Sequence, residues 1–570
     1  MTPDHARGLM AKGGGDAPAA LPAPRAVRER VSRRVVSARV ATALAALLVV
    51  AALVMPNDFA HFTPAAFLTL PVEALLGVLV VLALPGRART VAAIVAGVVL
   101  GLLTILKLLD LTFGVVLARP FDPLSDWPLL GAGQEFLAES FGTVVAVVVA
   151  VVIVAVAAAL PVLMALAILR LSRAVVRRRV STARVVAVLA VAWVALAAFR
   201  VQVEPGVPVS GWNTSAAAYS HAEQIWHGLA DQRAFAQETA VDAYRDTPRD
   251  RLLTGLHGKD VIVVFVESYG RDAIEKPGLA RQVDAVLDGA NRRLAAAGFA
   301  ARSGFLTSPT VGGSSWLAHA TFQSGLRIDN QRRYTDFNRS DRFTLVTAFK
   351  RVGWRTVHVA PANTGDWPEG RVYGYDMGYD AATIGYQGPL YAFSSVPDQF
   401  TLASFQQHER QPGHPPVMAE IDLLSSHAPW APVPPLVDWD AIGDGSGYQP
   451  PITGAADSPH WWRRDVASLR ADYQRSIEYS LRSVVSFVER YGDHNTVLLV
   501  LGDHQPSPVI TGRNASSDVP IAIIARDPAV LDRIVSWGWQ PGLNPDPDAP
   551  VWPMDAFRDR FLAAYGPDGR

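Results

Sequence analysis

The sequence predicts an α-helical membrane domain of five transmembrane helices, followed by an α/β domain with a mostly parallel central sheet. Long apolar stretches occur only before residue 203, and short β-branched runs alternate with helical patterns after residue 258. Hydrophobic residues make up 50% of the 570 residues and charged residues 18%, below the roughly 25% of soluble chains. This composition indicates that part of the chain lies in a bilayer.

Five apolar stretches in the N-terminal part are long enough to cross a membrane. A hydrocarbon core of roughly 30 Å requires about 20 helical residues. The first stretch lies too deep in the chain, and is followed by too many others, to be a cleaved signal peptide. The predicted spans are 38–56, 66–86, 90–110, 142–168 and 183–201.

Basic residues in the short loops predict the orientation. The loops on the opposite side are nearly free of them, so the positive-inside rule places the N-terminus in the cytoplasm of a multi-pass plasma or inner membrane protein. Five spans then carry the chain after residue 202 outside the cytoplasm. The arginines are Arg25, Arg28, Arg30, Arg33 and Arg34 before the first span, Arg87 and Arg89 after the second, and Arg170, Arg173, Arg177, Arg178 and Arg179 after the fourth.

We divide the chain into four regions by composition. Residues 1–35 are expected to form a disordered basic cytoplasmic tail and residues 36–202 the transmembrane domain. Residues 203–258 are polar with helical periodicity, which predicts a helical connector. Residues 259–570 form the predicted α/β domain, outside the cytoplasm.

Charge and cysteine content exclude several classes of function. The 52 basic and 52 acidic residues cancel, which argues against a nucleic-acid-binding protein. Because the chain has no cysteine, disulfide scaffolds, zinc ribbons, iron–sulfur clusters and thiol catalysis are excluded. A nucleophile made by oxidising a cysteine is excluded for the same reason.

Short continuous β-branched runs in the C-terminal part are typical of strands buried on both faces of a parallel sheet. The helical patterns between them predict helices on both faces of that sheet, with ligands beyond the carboxyl ends of the strands. The predicted strands are 260–266, 356–359, 417–424, 497–501 and 519–524, and the predicted helices are 279–297, 316–322, 343–352 and 462–490.

Polar residues of matching chemistry follow three of these strands. Glu267 ends the first strand, His427 follows the strand at 417–424, and Asp503 and His504 follow the strand at 497–501. Residues 310–315 open a helix, where hydroxyl groups meet free backbone N–H groups. Oxygen and nitrogen donors of this kind suit Mn²⁺, Mg²⁺ or Zn²⁺, which would activate a serine hydroxyl as a nucleophile.

Each of these residues has a simpler interpretation when it is taken alone. Glu267 could be a helix-start carboxylate, Asp503 and His504 a turn, the serines a helix cap, and His427 a loop histidine. Their joint occurrence at predicted strand ends favours an active site. His358, in an apolar run, is expected to be a core histidine. His319, one turn after Ser315 on the same helix, could face the site or serve in packing.

With these residues in place, the chain resembles the alkaline phosphatase/sulfatase superfamily, and within it the membrane-anchored lipoteichoic acid synthase and phosphoglycerol transferase branch. The resemblance implies a metal site formed by Glu267, Asp503, His504 and the nucleophile. The family nucleophile starts a helix ten residues before a Gly or Ser, and counting back from Gly325 selects Ser315, with Ser314 as the alternative. It implies one divalent ion, Mn²⁺ or Mg²⁺ before Zn²⁺.

The resemblance also assigns substrate-binding residues, with some departures. It implies that His427 contacts the phosphate and the leaving group. Lipoteichoic acid synthases bind glycerol phosphate with a Trp and an Arg two residues later; here Trp367 is followed by Arg371, four residues on. Ser315 lacks the x-Pro-x-Arg continuation of sulfatases. Two-metal relatives have an Asp four residues before the histidine, where this chain has Leu423.

The predicted function is therefore transfer of a phospho-alcohol group, such as glycerol phosphate, from a membrane phospholipid donor to an envelope glycan or lipid acceptor, through a covalent serine intermediate. Phosphoethanolamine transfer and hydrolysis of phosphate or sulfate esters are the alternatives within enzymes. A catalytically inactive protein that binds the envelope is the non-enzyme alternative. No nucleic-acid partner is expected.

Overall fold

The computed structural model of the chain describes residues 24–363, 367–391, 393, 395–450, 464–512 and 515–567. It divides into two compact units. Among the described residues, one unit contains those up to 55 together with 64–104 and 158–214, and the other contains 56–63, 105–157 and those after 214.

Four helices among the described residues are long and apolar enough to cross a membrane, one fewer than predicted. The qualifying segments are Val36–Val54 of helix α1 (Pro24–Val54), α3 (Gly86–Val116), α5 (Thr143–Arg177) and α6 (Arg179–Ala198). The other helices of this N-terminal part are α2 (Val72–Ala83) and α4 (Leu129–Phe141).

The prediction of a single long helix over 66–86 is wrong. Helix α2 has 12 residues, about 18 Å, which is short of the roughly 30 Å of a hydrocarbon core. Pro71 immediately precedes the helix and Pro85 follows its C-cap residue. Proline is compatible with a helix start but interrupts a helix interior, so these two residues limit α2 at both ends.

The predicted disordered tail is also corrected in part. Helix α1 begins at Pro24, so residues 24–35, which the composition placed in the tail, are helical. Residues 1–23 lie outside the described residues. The helical connector is represented by α7 (Asn213–Ala240), preceded by the short strands β2 (Gln202–Glu204), β3 (Val207–Pro208) and β4 (Ser210–Gly211), of which β4 pairs with β1 (Leu70–Pro71).

Two glycines of α3 allow close helix packing in the first unit. A side chain on Gly97 would collide with the backbone of Ala165, and one on Gly101 with the backbone of Pro161, both in α5. Glycines four residues apart lie on one helix face, and small residues there let two backbones approach in a membrane.

The second unit contains a nine-stranded mixed sheet. The strands are β5 (Asp260–Val266), β6 (Ala300–Thr307), β7 (Arg355–Val359), β8 (Met377–Tyr379), β9 (Val417–Leu423), β10 (Thr496–Gly502), β11 (Asp518–Ala525), β12 (Gln540–Pro541) and β13 (Val551–Pro553). The parallel block runs β10–β5–β9–β7–β8, and β11 and β6 continue it in antiparallel pairings. Strands β12 and β13 both pair with β6.

Helices cover both faces of the sheet. The helices are α8 (Asp272–Glu275), α9 (Ala280–Ala296), α10 (Ser315–Ser324), α11 (Gln331–Asn338), α12 (Leu345–Val352), α13 (Asp398–Glu409), α14 (Val466–Tyr491), α15 (Pro508–Thr511), α16 (Pro528–Asp532) and α17 (Phe557–Ala564). Along β5, Ile262 and Val264 pack into one hydrophobic cluster with residues of α9 and α14, whereas Val263 and Phe265 pack into a second cluster with residues of α10 and α12. This alternation is why every residue of the strand after Asp260 is apolar.

The C-terminal end of α3 belongs to the same unit as the sheet and is fixed there by polar contacts. Asp110 is buried and accepts a hydrogen bond from the backbone N–H of Phe121 at 3.1 Å, and its other oxygen lies 3.1 Å from Nε2 of His221 in α7. Six residues further on, the carbonyl of Val116 lies so close to Gly312 that any side chain there would collide with it. The end of α3 therefore contacts the loop that precedes α10.

Candidate active site

The carboxyl ends of two neighbouring strands bring acidic residues together. Strands β5 and β10 are parallel, and Val266 pairs with Gly502. The next residues in the chain are Glu267 and Asp503, so both leave the sheet at the same edge. Asp503 Oδ1 accepts a 2.7 Å hydrogen bond from the backbone N–H of Ser268, which fixes its carboxylate beside Glu267.

The loop before α10 places a serine hydroxyl against these residues. Gly312 and Gly313 have positive φ values of 78° and 154°, which favour glycine. The N–H of Gly312 donates to the carbonyl of Gln505 at 2.8 Å. The loop is thereby held beside the chain segment that follows His504.

Ser315, the first residue of α10, makes the closest contacts. Its Oγ donates to Glu267 Oε2 at 3.0 Å and lies 3.1 Å from His504 Nε2. Ser314 has a left-handed backbone, with φ of 64°, and its side chain makes no capping hydrogen bond. Of the two serines, Ser315 is the one in contact with the predicted metal ligands.

The donor atoms have the spacing that a divalent ion requires. His504 Nε2 lies 3.4 Å from Glu267 Oε1 and 3.5 Å from Asp503 Oδ2. Ligands about 2.1 Å from a tetrahedral ion are about 3.4 Å apart. The three residues are buried, and an uncharged serine hydroxyl completes the set. The residues therefore fit one divalent cation.

Electrostatics in the protein alone also favour a bound cation. Burial opposes ionisation of Glu267, but the neighbouring His504 and His427 hold its pKa below the usual value. Burial and the charge of Glu267 together raise the pKa of Asp503. The negative charge of one buried carboxylate thus opposes ionisation of the other. A divalent cation between them would remove this repulsion and let both ionise.

His427 lies next to this centre in a loop fixed by an aspartate. Its Nδ1 is 2.6 Å from the carbonyl of Ala428. Because a carbonyl oxygen only accepts hydrogen bonds, Nδ1 carries the proton of the neutral ring and Nε2 is the nitrogen without one. The ring stacks on Phe393 with centroids 3.7 Å apart. Asp398 accepts hydrogen bonds from the N–H groups of Leu424 and Ser425, both at 2.8 Å, and so holds the start of the loop.

Of the two residues predicted to bind the substrate, Trp367 is partly buried and Arg371 is exposed. Trp367 is partly buried and packs on His358 and Tyr373, with ring centroids 4.7 and 5.6 Å away. Arg371 lies in the following 3₁₀ helix (Pro368–Val372) with an exposed side chain. A phosphate-binding role for Arg371 therefore stays a prediction.

A second set of titratable residues, one buried and two half-buried, was not predicted as a metal site. His319, Glu420 and Asp422 lie together, and each offers a donor atom within 4.8 Å of the others. His358, expected to be a core histidine, lies 3.1 Å from Asp422 through Nε2. Glu420 and Asp422 are separated by one residue in the otherwise apolar strand β9. Two acidic residues in a buried strand are unusual, and this feature of the sequence could have indicated the second set.

A helix-start hydroxyl lies beside buried oxygen and nitrogen donors at parallel strand ends, an arrangement that could hold a divalent cation against the hydroxyl. Residues 259–517 match the family model described as Sulfatase. The C-terminal domain belongs to the sulfatase/alkaline phosphatase superfamily. The chain thus joins a sulfatase-superfamily catalytic domain to four apolar helices that could cross a membrane.

Solved structures similar to this chain have low sequence identity. Lipoteichoic acid synthase LtaP from Listeria monocytogenes is 14% identical, with 58% of this chain and 76% of that chain covered and a TM-score of 0.35. Lipooligosaccharide phosphoethanolamine transferase A from Neisseria meningitidis (soluble domain) is 11% identical, with 54% and 88% covered and a TM-score of 0.37. Streptococcus pyogenes phosphoglycerol transferase GacH, in complex with sn-glycerol-1-phosphate, is 13% identical, with 59% and 93% covered and a TM-score of 0.34. A search of curated proteins found no match.

Proposed function

We propose that the protein is a membrane-anchored, metal-dependent phosphotransferase that moves a phospho-alcohol group from a membrane phospholipid to an envelope glycan or lipid. The observation that carries this proposal is the position of Ser315 Oγ, 3.0 Å from Glu267 and 3.1 Å from His504. Anchoring by apolar helices supports a lipid donor, because it keeps the nucleophile near the bilayer surface.

The residues divide the reaction into two substitutions at phosphorus. Ser315 first loses its hydroxyl proton to solvent and attacks as the alkoxide; its bond to phosphorus forms, and the bond from phosphorus to the lipid alcohol breaks. His427, with a proton on Nε2, gives that proton to the departing alkoxide. An acceptor hydroxyl then attacks the phosphoserine ester, returns a proton to His427 and releases Ser315 as the alkoxide. A bound divalent cation would lower the pKa of the serine hydroxyl and offset the charge on the phosphate oxygens.

The transferred group can be identified on the protein itself. The full-length protein is incubated with vesicles containing phosphatidylglycerol, phosphatidylethanolamine or both, and the Ser315 peptide is analysed by mass spectrometry. We expect the added mass of glycerol phosphate and the release of diacylglycerol. The mass of phosphoethanolamine would select the alternative headgroup. Free phospho-alcohol in solution with lipid donors, and no transfer when glycolipid or glycan acceptors are supplied, would indicate hydrolysis.

We further propose that the catalytic domain lies outside the cytoplasm, which requires the segment containing α2 to cross the membrane. The 3₁₀ helix Pro64–Leu68 has five residues, about 10 Å, and α2 adds about 18 Å. With about 7 Å for the extended residues Leu70 and Pro71, the combined length of these elements is about 35 Å, which is enough for a hydrocarbon core of roughly 30 Å if they follow one another in line. The arginine-rich loops agree with this path.

Labelling of single cysteines tests the orientation without removal of any native cysteine, since the chain has none. Gly86, at the start of α3, has open space around it, and Asp440 in the catalytic domain is 76% exposed. In intact cells, a membrane-impermeant maleimide is expected to label Asp440→Cys but to label Gly86→Cys only after permeabilisation. The reverse pattern would contradict the proposed orientation.

A further inference from the structure

The set formed by His319, Glu420 and Asp422, the second donor set, lies beside the active site. Glu420 and Asp422 occupy alternate positions on β9 and therefore project from the same face of the sheet. His319 Nδ1 lies 3.0 Å from Glu420 Oε1 and 3.4 Å from Asp422 Oδ1. These separations are similar to those between the donors around Ser315.

Helix α10 joins the two sets. Ser315 and His319 are four residues apart, so they lie on the same helix face about one turn apart. The His319 ring also stacks on Phe265 at 3.9 Å between centroids, and Phe265 is the partner of Asp422 in the sheet. The second donor set is thus a direct neighbour of Glu267, which follows Phe265 by two residues.

The buried polar atoms of this set are incompletely satisfied by the described residues. Oδ1 of Asp422 accepts no hydrogen bond, and neither does Oε1 of Gln323, although Gln323 donates through its nitrogen to Glu420. Tyr375 also donates to Glu420, at 2.8 Å. Buried oxygens without donors are costly, and each indicates a missing partner.

We propose that His319, Glu420 and Asp422 bind a second divalent cation next to the Ser315 centre. One imidazole nitrogen and two carboxylates suit Zn²⁺ or Mn²⁺ better than Ca²⁺. This site differs from the one in two-metal relatives, whose Asp lies four residues before the histidine, because Leu423 occupies that position here. The proposal stands independently of the transferred group.

Charge balance supports a second ion. Four carboxylates lie in two adjoining donor sets, those of Glu267 and Asp503 in one and those of Glu420 and Asp422 in the other, and one divalent cation neutralises only two of them. Without a second cation, Glu420 and Asp422 face the imidazoles of His319 and His358, which lie within hydrogen-bond distance of them. The two arrangements differ in metal stoichiometry and can be separated by experiment.

Metal content measures the difference directly. The full-length protein in detergent is stripped with a chelator, loaded with Zn²⁺ or Mn²⁺, desalted and analysed by mass spectrometry of the metal, with calorimetric titration in parallel. We expect two equivalents in the natural protein and one in Asp422→Asn and in Glu420→Gln. With Mn²⁺, the natural protein is expected to show the magnetic coupling of two nearby ions, and both variants the signal of an isolated ion.

Matched controls distinguish loss of the site from loss of the fold. His494, whose side chain is 64% exposed, is replaced by alanine and should leave two equivalents. The remaining equivalent in Asp422→Asn shows that its active-site fold is intact. Saturation of the natural protein at one equivalent, or retention of two in both carboxylate variants, would overturn the proposal.

Discussion

Replacement of Ser315 with alanine is expected to lower the rate of group transfer by about 10³-fold or more and to leave the fold unchanged. The hydroxyl is the group that lies 3.0 Å from Glu267 and 3.1 Å from His504, and no other atom of the side chain can form the ester to phosphorus. The rate is measured as diacylglycerol released from vesicles, and metal content and thermal unfolding are measured in the same preparation.

Ser314→Ala is the matched control, since it removes a hydroxyl one residue away. Ser314 makes no capping hydrogen bond and has its own left-handed backbone geometry, so its loss should change the rate by only a few-fold. The peptide with the added mass, which we expect from the natural protein, should also form in Ser314→Ala and be absent in Ser315→Ala. An active Ser315→Ala protein together with an inactive Ser314→Ala protein would transfer the nucleophile role to Ser314.

Replacement of Glu267 with glutamine is expected to weaken metal binding at the Ser315 centre by about 10²-fold or more, beyond the 10–100-fold cost of losing an outer-shell partner. The change keeps the side-chain shape but removes the charge that faces Asp503 and His504. Transfer should fall with metal occupancy. Titration of the metal-stripped protein gives the affinity, and the transfer assay at saturating metal shows how much activity returns.

Chelation provides the complementary measurement. Removal of the metal from the natural protein should abolish transfer, and addition of Mn²⁺, Mg²⁺ or Zn²⁺ should restore it to different extents, which ranks the ions. Asp440→Asn, a change at a 76% exposed carboxylate, serves as the control and should match the natural protein. Full activity after exhaustive chelation, or unchanged metal affinity in Glu267→Gln, would contradict the proposed ligand set.

Strand positions in the catalytic domain could be predicted from the sequence because the parallel block is buried on both faces. The run 260–266 coincides with β5, and the other predicted strands agree with β7, β9, β10 and β11 within one residue at each end. Strand β6 was not predicted, because Arg302 and Gly304 interrupt its apolar pattern. The strand conformation of β6 is instead stabilised by its pairing with β11 over eight residues.

The active-site residues could be recognised because strand ends and a helix start are local features of the chain. The second donor set could not be recognised in this way, since its members depend on the packing of α10 against β9. Both acids lie inside a strand predicted to be apolar, and His319 has an ordinary position on a helix. The number of long apolar helices was overestimated because an average hydropathy over 66–86 hides the effect of Pro71.

The contact between Gly312 and the last turn of α3 links the loop before α10 to that helix end, because a side chain on Gly312 would collide with the carbonyl of Val116. Gly312 lies three residues before Ser315. A displacement of this helix end would push on the loop that leads to Ser315. Substitutions in the last turn of α3 would therefore shift the serine hydroxyl without touching Glu267 or His504.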